Sequence, residues 1–127
     1  MDVIPSVTSY RIANLTPHPL VVFDGGDVVL EVPPTGNVCR INEIRDPPIE
    51  VDAEGSVVPV VGVRYSAEIT GLPGPSMGVL HLVSRVAAAA IRGRDDIVFP
   101  LDEVRDEQLR IIGCRALGRL DSDGAVQ

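Results

Sequence analysis

Four consecutive alanines, Ala87–Ala90, stand between Ser84 and Gly93, and no other stretch of this chain reads as a helix of more than one turn. Alanine is the best helix former. Ser84 can cap the start with its hydroxyl, and Gly93 suits the C-terminal stop. One principal helix is therefore expected over about 85–92. Elsewhere short runs of Val, Ile and Leu alternate with turn-forming clusters drawn from 12 glycines and 11 prolines. That is the grammar of strands and turns.

Strands are expected over 10–15, 20–23, 28–32, 38–44, 57–65, 79–83, 97–101 and 110–120, with a brief edge strand at 49–51. Asp24-Gly25-Gly26-Asp27 joins the second and third as a hairpin turn. Pro59 demotes part of the 57–65 run to an edge or a bulge. Ala67–Thr70 can continue its pairing. Five of the eight residues from Gly71 to Gly78 are Gly or Pro, which makes a loop. The charged stretch 102–109 reads as a turn or a single helical turn, and the last strand should bend at Gly113 or Gly118. The expected fold is α+β: a mostly antiparallel, curved or barrel-like sheet with the helix packed on it. Its 127 residues suit a single domain, with 1–9 and 121–127 as loose termini.

Composition excludes several partners. Net charge is -7, which argues against a long nucleic acid, whose phosphates need clustered cations, and against an anionic membrane surface. All 11 cationic residues are Arg. Arginine suits bidentate contact with phosphate or carboxylate, but GC-rich codons produce the same bias. Cys39 and Cys114 lie outside any CxxC or Cys/His cluster, so no metal and no cofactor is expected; a buried thiol is the commoner role. No apolar run approaches a membrane span and no signal segment is visible, so the expected location is cytoplasmic.

Three constellations can carry chemistry. The first is the strand–Ser84–helix junction with Arg85 beside it, since free amides at a helix start attract anions; Ser84 as a simple cap is the bland alternative. The second is Asn14-Leu15-Thr16-Pro17-His18, where an amide, a hydroxyl and an imidazole sit on a stiffened backbone. There, local backbone satisfaction is the alternative. The third is Arg92-Gly93-Arg94-Asp95-Asp96, able to hold a ribose or supply acid and base, or simply a solvated turn. The candidate ligand-binding residues are Asn14, Thr16, His18, Ser84, Arg85, Arg94 and Asp95. No nucleophile elbow is present, so no catalytic residue is assigned.

The segments Asn14–His18, Gly71-Leu72-Pro73, Leu82–Ser84 through Ala89 to Gly93–Asp96, and Val104–Glu107 leading to Ile112-Gly113-Cys114 carry a resemblance. In them the chain resembles a group of short uncharacterised proteins of actinobacterial genomes and bacteriophages. The likeness spans most of the chain and brings no catalytic residues with it. Related chains often have Gly where Leu109 stands. The resemblance implies a binding role toward a nucleotide signal, a host protein or a virion component. Three functions are therefore expected in order: a non-enzymatic, homo-oligomeric module for a small anionic, nucleotide-like ligand; a protein-interaction domain with a host or phage partner; and a small hydrolase or transferase using His18 with Asp95 or Asp96.

Overall fold

The computed structural model describes residues 9–120. The expected loose termini therefore lie outside the described residues, Ser9 apart. In chain order the elements are β1 (Arg11–Asn14), β2 (Leu20–Asp24), β3 (Asp27–Val32), β4 (Arg40–Arg45), β5 (Ile49–Ala53), β6 (Ser56–Val60), β7 (Val63–Thr70), β8 (Val79–Leu82), α1 (Arg85–Ala90), β9 (Ile97–Arg105) and β10 (Ile111–Gly118).

Six strands form one sheet in the order β1-β8-β9-β10-β2-β3. The antiparallel expectation holds only in part. β1–β8, β8–β9 and β10–β2 are parallel, whereas β9–β10 and β2–β3 are antiparallel. The reason is the order strand–helix–strand at β8–α1–β9: a crossover through a helix returns the chain in the same direction.

The sheet curls into a half-barrel. Laid flat, its edge strands β1 and β3 would be about 24 Å apart, five strand spacings. Instead the Asn14 side chain, at the end of β1, donates to the carbonyl of Val32, at the end of β3, at 3.1 Å. The chain leaving β3 adds to this seam. The Thr35 amide and hydroxyl both donate to the Asn14 carbonyl, and the Cys39 amide donates to that of Leu15.

Curling gives the sheet two buried faces. Leu20, Leu82, Val98 and Cys114 fill the concave side. Val83, Ile97 and Phe99 face the other way and meet Leu15, Cys39, Ala87 and Ala88. The alanines thus serve packing as well as propensity: their small side chains let the helix lie close on the sheet. The helix is shorter than expected, because Ile91 turns extended (φ -85, ψ 124) and packs into the core. Ser84 is the N-cap, as read from sequence, accepting from the Ala87 amide at 3.1 Å.

Residues 40–70 leave this body as a ribbon. Its base, β4 paired with β7, packs on the core through Ile41 and Ile69. Its outer half is the hairpin β5–β6. The long strand expected over 57–65 is broken at Val61-Gly62. There the Asp46 amide bonds the Gly62 carbonyl, and a Cβ on Gly62 would lie 2.8 Å from the Asp46 carboxylate. The hairpin tip, Glu54-Gly55, has both φ values positive (52° and 88°), as a type I′ turn requires. The turn 106–109 is held by Asp106, which accepts from the amides of Gln108 and Arg110; β9 reaches Arg105, further than expected. Leu109 closes this turn at φ 66, a conformation natural to glycine.

Candidate ligand-binding site

β1, β8 and β9 run parallel, and their carboxyl-terminal direction points toward one region. In open parallel α/β sheets ligands bind beyond the carboxyl ends of the strands. A cleft of ≈ 1050 Å³ opens there. Thr16 and His18 enter it from the β1–β2 loop, Ser84 and Arg85 from the start of α1, Asp102 and Glu103 from β9, and Ile111 and Ile112 from β10. Leu101, Pro17 and Pro19 add apolar wall. A smaller recess of ≈ 250 Å³ adjoins it, sharing Thr16, Pro17 and Ser84.

Asn14 does not reach the cleft as a ligand group. It is fully buried, and its amide is completely used. The Nδ2 group donates to the carbonyls of His18 and Val32, and Oδ1 accepts from the Thr16 amide (3.0 Å) and the Thr16 hydroxyl (2.7 Å). Asn14 is thus the post from which the Thr16–His18 loop is hung. Thr16 in turn accepts from the His18 amide at 3.4 Å, so the loop carries its shape in its own polar groups.

Ser84 spends an acceptor lone pair on its own helix. The helix has six residues, so its dipole is small, and the amide of Ala87, its third residue, is already met by the cap. The positive pole expected from sequence is therefore short, and one of its amides is taken by its own cap. The cation in the cleft is the Arg85 side chain. Its guanidinium lies 5.2 Å over the Phe99 ring, a favourable cation–π distance. Among the described residues it is in no ion pair. Opposing it are two carboxylates, of which Glu103 is paired with Arg105 at 3.1 Å. Asp102 holds φ 61 inside β9, a strained setting of the kind that gathers at functional sites.

Arg94 and Asp95 lie elsewhere. They precede β9, at the opposite end of the crossover from the Thr16–His18 loop. Arg94 grips Asp96 with two bonds, Nε to Oδ1 at 2.9 Å and a second to Oδ2 at 2.7 Å. It also donates to the Pro73 carbonyl, tying the Gly/Pro loop to the body. The His81 Nδ1 atom meets Asp96 Oδ2 at 2.7 Å, with His81 only 3% exposed. The Arg94 guanidinium bonds hold the Asp96 carboxyl at about 2; burial opposes this, and the His81 contact adds to it. Asp95 contributes its carbonyl to Arg119. This His81–Asp96–Arg94 set is a closed structural network.

Sequence reasoning missed that network because His81 lies fifteen residues from Asp96. One signal was present: in β8 the side chains alternate, so His81 must lie opposite Leu80 and Leu82. It also missed Asp102, Glu103, Ile111 and Ile112, which read as a charged turn and plain strand. Cys39 and Cys114 are free, buried thiols, and burial raises the pKa of both. No described helix is long and apolar enough to cross a membrane. Comparison with protein-family models, with curated proteins and with solved structures finds no match to this chain.

Proposed function

We propose that this chain is a non-enzymatic binding domain whose cleft takes up a small nucleotide-like ligand bearing one anionic group. The observation that carries this reading is the convergence of Thr16, His18, Ser84 and Arg85, from two distant segments, on one cleft walled by aliphatic side chains. The apolar walls suit a base or similar flat body. Arg85 suits a single phosphate or carboxylate. Asp102 and Thr16 suit ribose-type hydroxyls. One guanidinium set against two carboxylates disfavours a polyphosphate. A hydrolase built on His18 with Asp95 or Asp96 has less support. Both Asp96 oxygens are engaged by Arg94 and His81, and no hydrogen bond joins the His18 ring to either carboxylate among the described residues. The two unpaired thiols suit a reducing, cytoplasmic setting.

The test is thermal shift and calorimetry with a nucleoside, its monophosphate, its triphosphate and inorganic phosphate. The monophosphate is expected to raise the melting temperature most, and Arg85→Ala to remove that shift. No stabilisation by any of the four at millimolar concentration overturns the reading. A second reading, a protein-interaction domain, has its own observation: nine of the 19 exposed large hydrophobic residues fall between Ile44 and Tyr65, on the ribbon.

A further inference from the structure

The smaller recess lies in the angle between the base of the ribbon and the helix. Leu15 and Val38 reach it from either side of the seam, Ile41 and Tyr65 from the ribbon, and Ala87 from α1. Leu15, Cys39 and Ala87 are buried, whereas Tyr65 is exposed, so the recess has an apolar floor and an open rim. The helix supplies apolar wall and not charge. The charge comes from Arg40, which lines the same recess and is itself exposed. Among the described residues Arg40 is in no ion pair. No carboxylate lines the recess, in contrast to the larger cleft. The one acid of β4, Glu43, is held by Arg45 at 2.8 Å. The Cys39 thiol adds no negative charge either: burial raises its pKa, against a smaller opposing pull from Arg94.

We infer that this recess is a second ligand site, built for a small monocarboxylic acid with an apolar body, aryl or branched aliphatic. The site goes beyond the nucleotide reading and does not rest on it. The two cavities share Thr16, Pro17 and Ser84 as a common wall, but each has its own arginine. Charge fixes the sign of the ligand. A guanidinium with no carboxylate beside it attracts an anion and repels a cation. One guanidinium matches one carboxylate, in the bidentate pairing that suits both groups. The second charge of a phosphate would stay unpaired against aliphatic walls. Size fixes the body. The recess measures ≈ 250 Å³. Liquid water takes about 30 Å³ per molecule, so that space holds about eight waters, or an organic molecule of about ten non-hydrogen atoms. Benzoate is of this size. Acetate would leave most of the apolar wall in contact with water and forgo the gain from covering it.

Thermal shift and calorimetry of the full chain test this with benzoate, uncharged benzyl alcohol, cationic benzylamine and acetate. Benzoate is expected to bind best; at about twenty times its dissociation constant the melting temperature should rise by roughly 7 °C. Benzyl alcohol should bind roughly tenfold more weakly, and benzylamine and acetate should give no shift. Arg40→Gln should weaken benzoate by roughly tenfold or more, and Arg40→Lys should recover part of the loss. Arg92→Gln makes the same change in net charge at an exposed position that lines neither cavity, and should leave benzoate binding intact. Because Arg40 is exposed, its variants should keep the wild-type circular-dichroism spectrum and melting profile without ligand. The two cavities are read apart by crossing the variants. Arg85→Ala should abolish the nucleoside monophosphate shift and keep that of benzoate, and Arg40→Gln should do the reverse. No benzoate shift up to tens of millimolar overturns the inference, as do equal shifts from benzyl alcohol or acetate. Benzoate binding that survives Arg40→Gln, or that is lost in Arg92→Gln or Arg85→Ala, also overturns it. A chain that binds benzoate through Arg40 and no nucleotide upholds this site and refutes the nucleotide reading alone.

Discussion

Replacing Asn14 tests whether one side chain holds both the barrel seam and the cleft loop. In Asn14→Leu, the size is kept and the polarity lost. Four hydrogen bonds disappear, but the losses are unequal. The His18 carbonyl keeps a donor, because the Thr16 hydroxyl lies 3.0 Å away and can turn its proton there. The Thr16 amide and the Val32 carbonyl each lose a partner. An unsatisfied buried polar group costs about 1–3 kcal/mol. Thr16 is only partly buried, so the sum falls near the lower end, about 3 kcal/mol. For a domain of this size that is roughly 12 °C in melting temperature. Asn14→Asp separates the two halves of the argument. It keeps the acceptor for Thr16 but faces the His18 and Val32 carbonyls with a carboxylate in a fully buried position. Its folded pKa must then rise above the unfolded value. The variant is destabilised at neutral pH and regains stability as acid protonates the group, since the neutral acid can donate to one carbonyl. Urea unfolding of wild type and both variants from pH 7 to pH 4 measures this. A loss under about 1 kcal/mol for Asn14→Leu, or an Asn14→Asp penalty that does not shrink toward acid, refutes the reasoning.

Asp96 predicts the opposite pH behaviour. Its folded pKa of about 2 lies below the ordinary 3.8, so its stabilisation is complete above that ordinary value and is lost as pH falls through about 2. The difference is of order 2 kcal/mol; Asp96→Asn should forfeit at least that at pH 7 and approach wild type in acid, as measured by urea unfolding at each pH. At Leu109, the left-handed φ of 66 and the 72% exposure together predict that Leu109→Gly is stabilising, by about 0.5–1 kcal/mol. A rise of a few degrees in melting temperature checks it, and a fall would show that the leucine makes contacts outweighing the strain.

The correspondence between sequence and fold is uneven in an instructive way. Ser84 and the alanine run specify the helix start through propensity and capping, both local effects. Asp24–Asp27 and Gly71–Gly78 specify turns because positive φ and missing amides act within a few residues. Gly71 shows where locality stops. Its φ is 77, and any Cβ there would collide with the Val38 carbonyl, a neighbour visible only after folding. The Val57–Tyr65 run misled for the same reason: its break at Gly62 is imposed by Asp46, across the ribbon.

The candidate site divides along the same line. The residue types were legible: Thr16, His18, Ser84 and Arg85 were singled out as polar groups on stiff or capped backbone, and they do share a cleft. What each does there was not. Asn14 became a buried clasp because the sheet curled until β3 came within hydrogen-bond reach of β1. Arg94 and Asp95 went to the far end because a parallel crossover places the start of β9 opposite the end of β8. The sequence by itself determined the short strands, the single helix and the turns, since backbone preference and side-chain periodicity act over a handful of residues. Tertiary structure alone decided strand order, the sorting of polar residues between clasp, network and cleft, and the exposure of the ribbon's hydrophobic residues. Those follow from pairing between segments far apart in the chain, whose energy depends on neighbours that no local pattern names.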